Sequence, residues 1–390
     1  MRNPSMTATL LAAGLATVAG LAGPGGAIAL AAAAAATPPS TWIRVSAGGD
    51  FTCAIATNHS LWCWGRDDGY ELGVGDPSGQ NRDYPSQVGK RADWAQVSAG
   101  GEAACAIRMD HTLWCWGANP YGQLGVGNVP NQKSPVQVGA DPDWAQVSAG
   151  GNHSCAITTD GTLWCWGANY LGQLGTGSTA GSDVPVQVGT ADDWAQVAAG
   201  TAHTCAITSA GTLWCWGEGL DGDLGTGSTA DSDVPVQVGT AADWTQVSAG
   251  LAQTCAVATP GTLWCWGDNV NGELGIGSTA DSHVPVQVGI RSDWTRVSAG
   301  TFFTCAVHAD PTLLCWGMGE DGQLGNGGTG NRDVPTRVSL QGGWWQVSAG
   351  GSHACAIRGD RTLWCWGNNG EGQLGNGTPA QQSATPEQVG

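Results

Sequence analysis

A pair of cysteines ten positions apart recurs seven times along this chain, and this repeat limits the fold more strongly than any other feature. Each pair lies in a unit of about fifty residues that opens with tryptophan; the third unit begins at Trp144 and contains Cys155 and Cys165. A period of this length is typical of propellers and solenoids. The units span 42–93, 94–143, 144–193, 194–243, 244–293, 294–343 and 344–390.

Each unit contains four stretches with strand-like patterns, named A to D here in chain order. In the third unit they cover 144–149, 154–158, 162–166 and 184–188. Glycine accounts for 63 of the 390 residues, which disfavours long helices because glycine is a poor helix former. Four short strands per unit, seven times over, predict an all-β fold: a seven-bladed β-propeller with four antiparallel strands per blade.

The alternation of residues in strands B and C predicts how these strands pair. A three-residue loop between them places Cys155 opposite Cys165 and Ala156 opposite Trp164. Both faces of the hairpin are then apolar, so both must be buried, whereas a half-exposed antiparallel sheet would alternate with polar residues. Packing of each blade between two neighbours satisfies this requirement.

The cysteine pairs are expected to form disulfides. Directly opposed residues of antiparallel strands lie roughly 4.5–5.5 Å apart at Cα, which a disulfide can span. A zinc site would need further ligands at closer spacing, and a catalytic thiol would make one cysteine unlike the rest. We therefore expect no metal and no cofactor. The predicted disulfides are Cys53–Cys63, Cys105–Cys115, Cys155–Cys165, Cys205–Cys215, Cys255–Cys265, Cys305–Cys315 and Cys355–Cys365.

The first forty residues have the pattern of a targeting segment. Arg2 is followed by an apolar run over 9–22 and by small residues that include an A-x-A cleavage pattern at 27–29. This predicts a secretory signal peptide over 1–36 and a short linker over 37–41, with a transmembrane anchor as the alternative. A secreted, extracellular protein would meet the oxidising conditions that disulfides need. No membrane attachment is expected after cleavage.

The chain is acidic, with 14 Lys and Arg against 32 Asp and Glu and a formal net charge of −18. Nucleic-acid binding is not expected, because neutralising phosphates requires a basic surface. We expect instead a partner that is another protein, neutral or basic, and a chain that is itself monomeric.

A longer motif resembles the regulator of chromosome condensation repeat family. The unit reads G-x-x-H-x-C-A-I, then D-G-T-L-W-C-W-G-x-N-x-x-G-Q-L-G-x-G, and its G-Q-L-G block is intact at Gly122, Gly172, Gly322 and Gly372. One residue of the block changes at Asp223 and at Glu273, and the first unit has Tyr70-Glu71-Leu72-Gly73 instead. The resemblance covers all seven units and implies a seven-bladed propeller.

Members of that family have different functions, so the resemblance does not by itself imply one. They include a nuclear nucleotide-exchange factor, a plant ultraviolet-B photoreceptor and a secreted bacterial inhibitor of β-lactamases. The inhibitor is most similar in compartment and architecture, but its contact residues lie outside the repeat motif. The exchange factor's catalytic residues map onto no position here. The tryptophans that the photoreceptor uses before strand B are replaced, for example by Asp50 and Asn152.

Residues that differ strongly between units indicate a candidate binding surface. Because strands alternate in direction, the A–B and C–D loops lie on one face of the disc and the B–C and D–A loops on the other. Aromatic side chains and histidines at loop tips suit a protein-binding surface. Drift at solvated loops is the alternative, as is a hydrogen bond to a neighbouring loop for the histidines. The candidates are Phe51, Tyr70, Tyr121, His153, Tyr170, Leu171, His203, Phe302, Phe303 and His353.

The predicted function is that of a secreted protein-binding scaffold or inhibitor that uses loops on one face. A structural or adhesion role at the cell surface is the alternative. An enzyme or an exchange factor is less well supported, because the sequence contains none of the nucleophile, zinc or phosphate-loop motifs of known catalytic sites. No catalytic residue is predicted.

Overall fold

The computed structural model describes residues 37–140, 143–340, 342–378 and 381–390. The signal peptide predicted over 1–36 lies outside them. The described residues form 28 strands in seven sheets, and each sheet contains four strands that are consecutive in the chain. The predicted all-β, seven-bladed propeller is therefore confirmed. In the described residues, no helix is long and apolar enough to cross a membrane.

The strands have nearly the same length and position in every blade. Each blade contains strands A, B, C and D in that order from the centre of the disc outward. Blades one to four comprise β1 (Trp42–Ala47), β2 (Phe51–Ala56), β3 (Leu61–Gly65), β4 (Arg82–Gln87), β5 (Trp94–Ala99), β6 (Ala103–Arg108), β7 (Leu113–Gly117), β8 (Gln132–Gln137), β9 (Trp144–Ala149), β10 (His153–Thr158), β11 (Leu163–Gly167), β12 (Ser182–Gln187), β13 (Trp194–Ala199), β14 (His203–Thr208), β15 (Leu213–Gly217) and β16 (Ser232–Gln237). Blades five to seven comprise β17 (Trp244–Ala249), β18 (Gln253–Ala258), β19 (Thr262–Gly267), β20 (Ser282–Gln287), β21 (Trp294–Ala299), β22 (Phe303–His308), β23 (Leu313–Gly317), β24 (Arg332–Arg337), β25 (Trp344–Ala349), β26 (His353–Arg358), β27 (Leu363–Gly367) and β28 (Ser383–Gln388).

The register of the B–C hairpin agrees with the sequence prediction. In blade three, Cys155 pairs with Cys165 and Ala156 pairs with Trp164. The same register recurs in the other six blades and joins each predicted cysteine pair in a disulfide, with 4.1 Å between the two Cα atoms. All strands pair antiparallel, so the A–B and C–D loops share one face of the disc.

Each blade packs its disulfide face against the tryptophan face of the next blade. Between blades three and four, the Cys155–Cys165 disulfide packs in one cluster with Trp194 and Trp216. Within blade four, the rings of those two tryptophans lie 6.2 Å apart. Burial on both faces explains why only 12% of the residues are charged.

The ring closes without a shared strand, because blade seven and blade one are each formed by one continuous segment. The junction between them uses the same bonds as the other junctions. The N–H of Gly351 donates to the carbonyl of Gly48 (2.9 Å), and the N–H of Ala47 donates to Ser348 Oγ (2.9 Å). Trp64 Nε1 donates to the carbonyl of Gln373 (2.9 Å). Closure therefore depends on blade-to-blade packing and hydrogen bonds.

Candidate functional site

Half of the predicted binding residues are buried, which corrects the sequence analysis for those positions. Each is the first residue of a strand B rather than part of the A–B loop. Their side chains lie beneath the loop glycines; a Cβ built on Gly48 would lie 2.7 Å from the Phe51 ring. A partner cannot contact them in this fold. The buried residues are Phe51, His153, His203, Phe303 and His353.

The buried histidines connect neighbouring blades. His153 Nε2 lies 2.8 Å from Thr204 Oγ1, which itself donates to the carbonyl of Gln173. Because the threonine hydrogen is used there, the histidine must donate from Nε2. Equivalent contacts join His203 to the fifth blade and His353 to the first. The alternative interpretation is a hydrogen bond to a neighbouring loop. The three histidines do bond across the blade junction, but to a threonine on strand B of the next blade.

These histidines are neutral at physiological pH. Burial lowers the pKa of His153 and of His353 to about 3 and that of His203 to about 4, because an imidazolium would lose its hydration. A possible counter-charge for His203 is Asp223, whose Oδ2 lies 3.6 Å from His203 Nδ1. Burial raises the pKa of that carboxyl to about 8, so at neutral pH both groups are mainly uncharged.

The G-Q-L-G block of each C–D loop joins its blade to the next one. In blade two, the carbonyl of Gln123 accepts from Trp166 Nε1 (2.8 Å) and from Ser154 Oγ (3.0 Å), both in blade three. The Gln123 side chain accepts from the N–H of Tyr121 (3.0 Å) and thereby fixes the loop tip. The block is thus a structural element, and it holds the tip residues in place.

In three blades an acid replaces this glutamine. Glu71, Asp223 and Glu273 are each at most 1% exposed. Burial raises the pKa of Glu71 and of Glu273 to about 7, because a carboxylate at these sites cannot be hydrated. Glu273 Oε2 accepts from the N–H of Asn271 (2.7 Å), whereas Oε1 has no hydrogen-bond partner. Glu71 and Glu273 keep the loop bond of glutamine, whereas neither side-chain oxygen of Asp223 has a hydrogen-bond partner. All three acids lose the donating amide group of glutamine.

The residues at the outer tips of the C–D loops are exposed and apolar in blades two to five. Tyr170 is 69% exposed and Tyr121 41%, and their rings meet edge to face with centroids 6.0 Å apart. Leu220 and Val270, which occupy the repeat position of Tyr170, are each 65% exposed. Leu171 is half-buried beside Tyr170. We name this set the C–D arc: Tyr121, Tyr170, Leu171, Leu220 and Val270.

Carboxylates lie around the part of the C–D arc formed by blades four and five. Burial, and then the charges of Asp231 and Asp221, raise the pKa of Glu218. The pKa of Asp268 is also raised, mainly by burial, with repulsion from Asp281 and Asp221 adding to the effect. Mutual repulsion shows that these acids form one negative region around Leu220 and Val270. At the other end of the arc, in blades two and three, a cavity of about 520 Å³ is lined by Tyr121, Tyr170 and Asp183.

The other predicted residues have intermediate exposure and do not join the arc. Tyr70 follows strand C of blade one and Phe302 lies in the A–B loop of blade six. The predicted candidates included neither Leu220 nor Val270. Their alignment with Tyr170 in the repeat was the available signal. Within the described residues, no group of three His, Cys, Asp or Glu side chains is arranged to hold a metal ion.

The sequence of this chain matches a family model and a curated protein. The family model described as RCC1-like domain matches residues 5–250 and 144–390. Among curated proteins, "RCC1 domain-containing protein RUG3, mitochondrial" of Arabidopsis thaliana is 38% identical over 91 residues, which is 23% of this chain and 20% of that protein. The chain thus matches about a fifth of that relative's length.

Two solved structures share the fold. Prp20p from Saccharomyces cerevisiae, described with its binding properties to Gsp1p and histones, superposes with a TM-score of 0.76 at 20% identity. That match covers 90% of this chain and 88% of Prp20p. Human WBSCR16 superposes with a TM-score of 0.75 at 23% identity over 85% of this chain and 94% of that chain.

Proposed function

Because this chain belongs to the RCC1-like domain family, we propose that it is a binding scaffold that holds another protein on its C–D arc. The observation that carries the proposal is the contrast within the C–D loops of blades two to five: the G-Q-L-G block, or its form with an acid, is buried, and the adjacent tip is apolar and exposed. Exposed aromatic and aliphatic side chains grouped on one face are a usual feature of protein-binding sites.

The negative region around the arc supports a partner with basic residues around an apolar centre. Asp221 and Asp268 are close enough to Leu220 and Val270 to act on the same bound surface. Opposite charges at the edge of an interface mainly speed association and select among partners. The family fold also supports a protein partner, since Prp20p is described with binding to Gsp1p and to histones.

We further propose that the protein works outside the reducing cytosol, as an extracellular binding protein or inhibitor. Seven disulfides, one in each blade, support this, because disulfides persist in oxidising compartments. The hydrophobic segment near the start of the chain agrees with export.

The test is capture of partners from the culture medium of the source organism on immobilised protein. The wild type is compared with a Tyr121→Ser/Tyr170→Ser variant, which removes the exposed ring pair. Ile290→Ser is the matched control, because Ile290 is 98% exposed in a D–A loop on the opposite face. Proteins retained by the wild type and by the control, but lost by the tyrosine variant, are the expected result. Equal capture by all three proteins would contradict the proposal.

A further inference from the structure

The third residue of strand A differs between blades in a way that the fold does not require. Five blades have glutamine here, and its amide bridges to strand A of the next blade. Gln196 Nε2 donates to the carbonyl of Val247 (3.2 Å), and the N–H of Val247 donates back to Gln196 Oε1 (3.0 Å). The glutamines are Gln96, Gln146, Gln196, Gln246 and Gln346.

Blades one and six have arginine at this position. Arg44 and Arg296 cannot form the double bridge, because a guanidinium only donates hydrogen bonds. The N–H groups of Val97 and Val347, in the blades that follow, therefore lack the glutamine acceptor that the equivalent valines of blades three to six have. In blade seven Gln346 makes half of the bridge: its Nε2 donates to the carbonyl of Val45 (3.0 Å), and its Oε1 has no hydrogen-bond partner. In the described part of the chain, neither arginine forms an ion pair. This is unexpected in a chain with 32 acidic residues and only 14 basic ones.

The two arginines face the same space at the mouth of the central channel. Both line a cavity of about 610 Å³ on the B–C/D–A face, together with Gln96 and Gln346. The charge of Arg44 and burial lower the pKa of Arg296, with burial the larger cause. Arg108 also lines this cavity, but its Nε lies 3.8 Å from Asp93 Oδ1. The like charges of Arg44 and Arg296 raise the energy of the free protein, and an anion bound there would lower it.

Two blades have a large apolar residue at the second position of strand A, next to the position of the arginines. The second residue of strand A is alanine or threonine in five blades, but it is Ile43 in blade one and Trp345 in blade seven. Both line a second cavity of about 520 Å³, to which Arg44 also contributes. The Arg296 guanidinium lies 5.7 Å from the centre of the Trp345 ring. Volumes of this order are typical of small-molecule sites.

We propose that the channel mouth binds a small organic anion with an apolar body. Its acidic group would lie between Arg44 and Arg296, and its apolar body would contact Trp345 and Ile43. The site is on the face opposite the C–D arc, so it is independent of the proposed partner surface. A repeat position that gives up a bridge between blades, with only the contact of Arg296 with the Trp345 ring in its place, is typical of a functional site.

The experiment is calorimetric titration with phenyl phosphate, which combines a phosphate with an aromatic ring. Inorganic phosphate and phenol, tested in parallel, each provide only one of these features. Wild-type protein is expected to bind phenyl phosphate saturably and at least about tenfold more tightly than either simpler probe. Failure to bind phenyl phosphate, or equal binding of all three probes, would overturn the proposal.

The first two variants replace each arginine with the glutamine that the other five blades have at the same repeat position. Arg44→Gln and Arg296→Gln introduce the residue of the other blades, so both should fold and keep or raise the melting temperature. Each is expected to weaken phenyl phosphate binding about tenfold, and the double variant to abolish it. Arg291→Gln removes the same charge from an exposed D–A loop residue and should leave affinity within about twofold. Unchanged affinity in the double variant, or an equal loss in Arg291→Gln, would contradict the assignment.

Discussion

Gln173 and Tyr170 lie three residues apart in one C–D loop and have opposite environments. Gln173 is 3% exposed, and its side-chain oxygen accepts from the N–H of Leu171 (3.0 Å). Tyr170 is 69% exposed and contacts the ring of Tyr121 in the preceding blade. The first residue recurs in nearly the same form around the ring, whereas the second changes from blade to blade. The comparison separates residues that the propeller requires from residues that are free to serve binding.

Removing a buried tryptophan should have the largest effect on stability. Trp166 is fully buried, and its Nε1 donates across the blade junction to the carbonyl of Gln123. Trp166→Ala is expected to lower the free energy of unfolding by about 3–5 kcal/mol, since it leaves a cavity and removes one of the two hydrogen bonds to that carbonyl. Chemical denaturation measures this change. A loss below about 1 kcal/mol would show that this junction contributes less to the free energy of unfolding than the burial of Trp166 indicates.

Removing one disulfide should have a smaller effect. Cys155→Ala/Cys165→Ala opens a loop closed by residues separated by ten positions. We expect a loss of about 2–3 kcal/mol by the chain-entropy relation. Denaturation under non-reducing conditions measures this loss. Cys205→Ala/Cys215→Ala in blade four is the internal control, because the two cysteines pair in the same register there. Very different losses in the two blades would show that their disulfides do not contribute equally to stability.

The buried acids should make stability depend on pH. Because burial raises the pKa of Glu273 to about 7, the folded state binds a proton that the unfolded state releases above its ordinary pKa near 4.5. The free energy of unfolding should therefore fall as the pH rises from about 4.5 to above 7. Glu273→Gln, which restores the common residue, should add about 1–2 kcal/mol at pH 8 and little at pH 4.5.

The reverse exchange is the control for this prediction. Gln173→Glu should introduce the same pH-dependent loss of stability into blade three, as measured by melting temperature from pH 4.5 to pH 8. If both variants changed stability equally at all pH values, packing and not ionisation would be the cause.

Changes at the loop tips should have the smallest effect on stability. Tyr170→Ser alters a mostly exposed side chain, so the free energy of unfolding should change by less than about 0.5 kcal/mol. Denaturation of this variant beside Trp166→Ala measures the contrast directly. A loss of more than about 2 kcal/mol would mean that the arc helps to hold the blades together.

The blade interior could be predicted from the sequence because its pattern repeats at short range. A strand alternates its faces with a period of two, so the positions of Cys155 and Cys165 determined the hairpin register. The burial of Phe51 and His153 could not be predicted in the same way. Variation among blades suggested exposure, but these residues begin strand B beneath a loop glycine, where different blades accommodate His, Phe, Gln or Ala. Ring closure depends on contacts between the two ends of the chain, which no local pattern shows.

Hydrogen exchange of the protein with and without a captured partner tests the central claim most directly. We predict that bound partner slows amide exchange in the C–D loops of blades two to five, around Tyr121, Tyr170, Leu220 and Val270. The blade interiors, already protected, and the loops around Ile290 should not change. Protection confined to the B–C and D–A loops would contradict the assignment of the partner surface to the C–D arc.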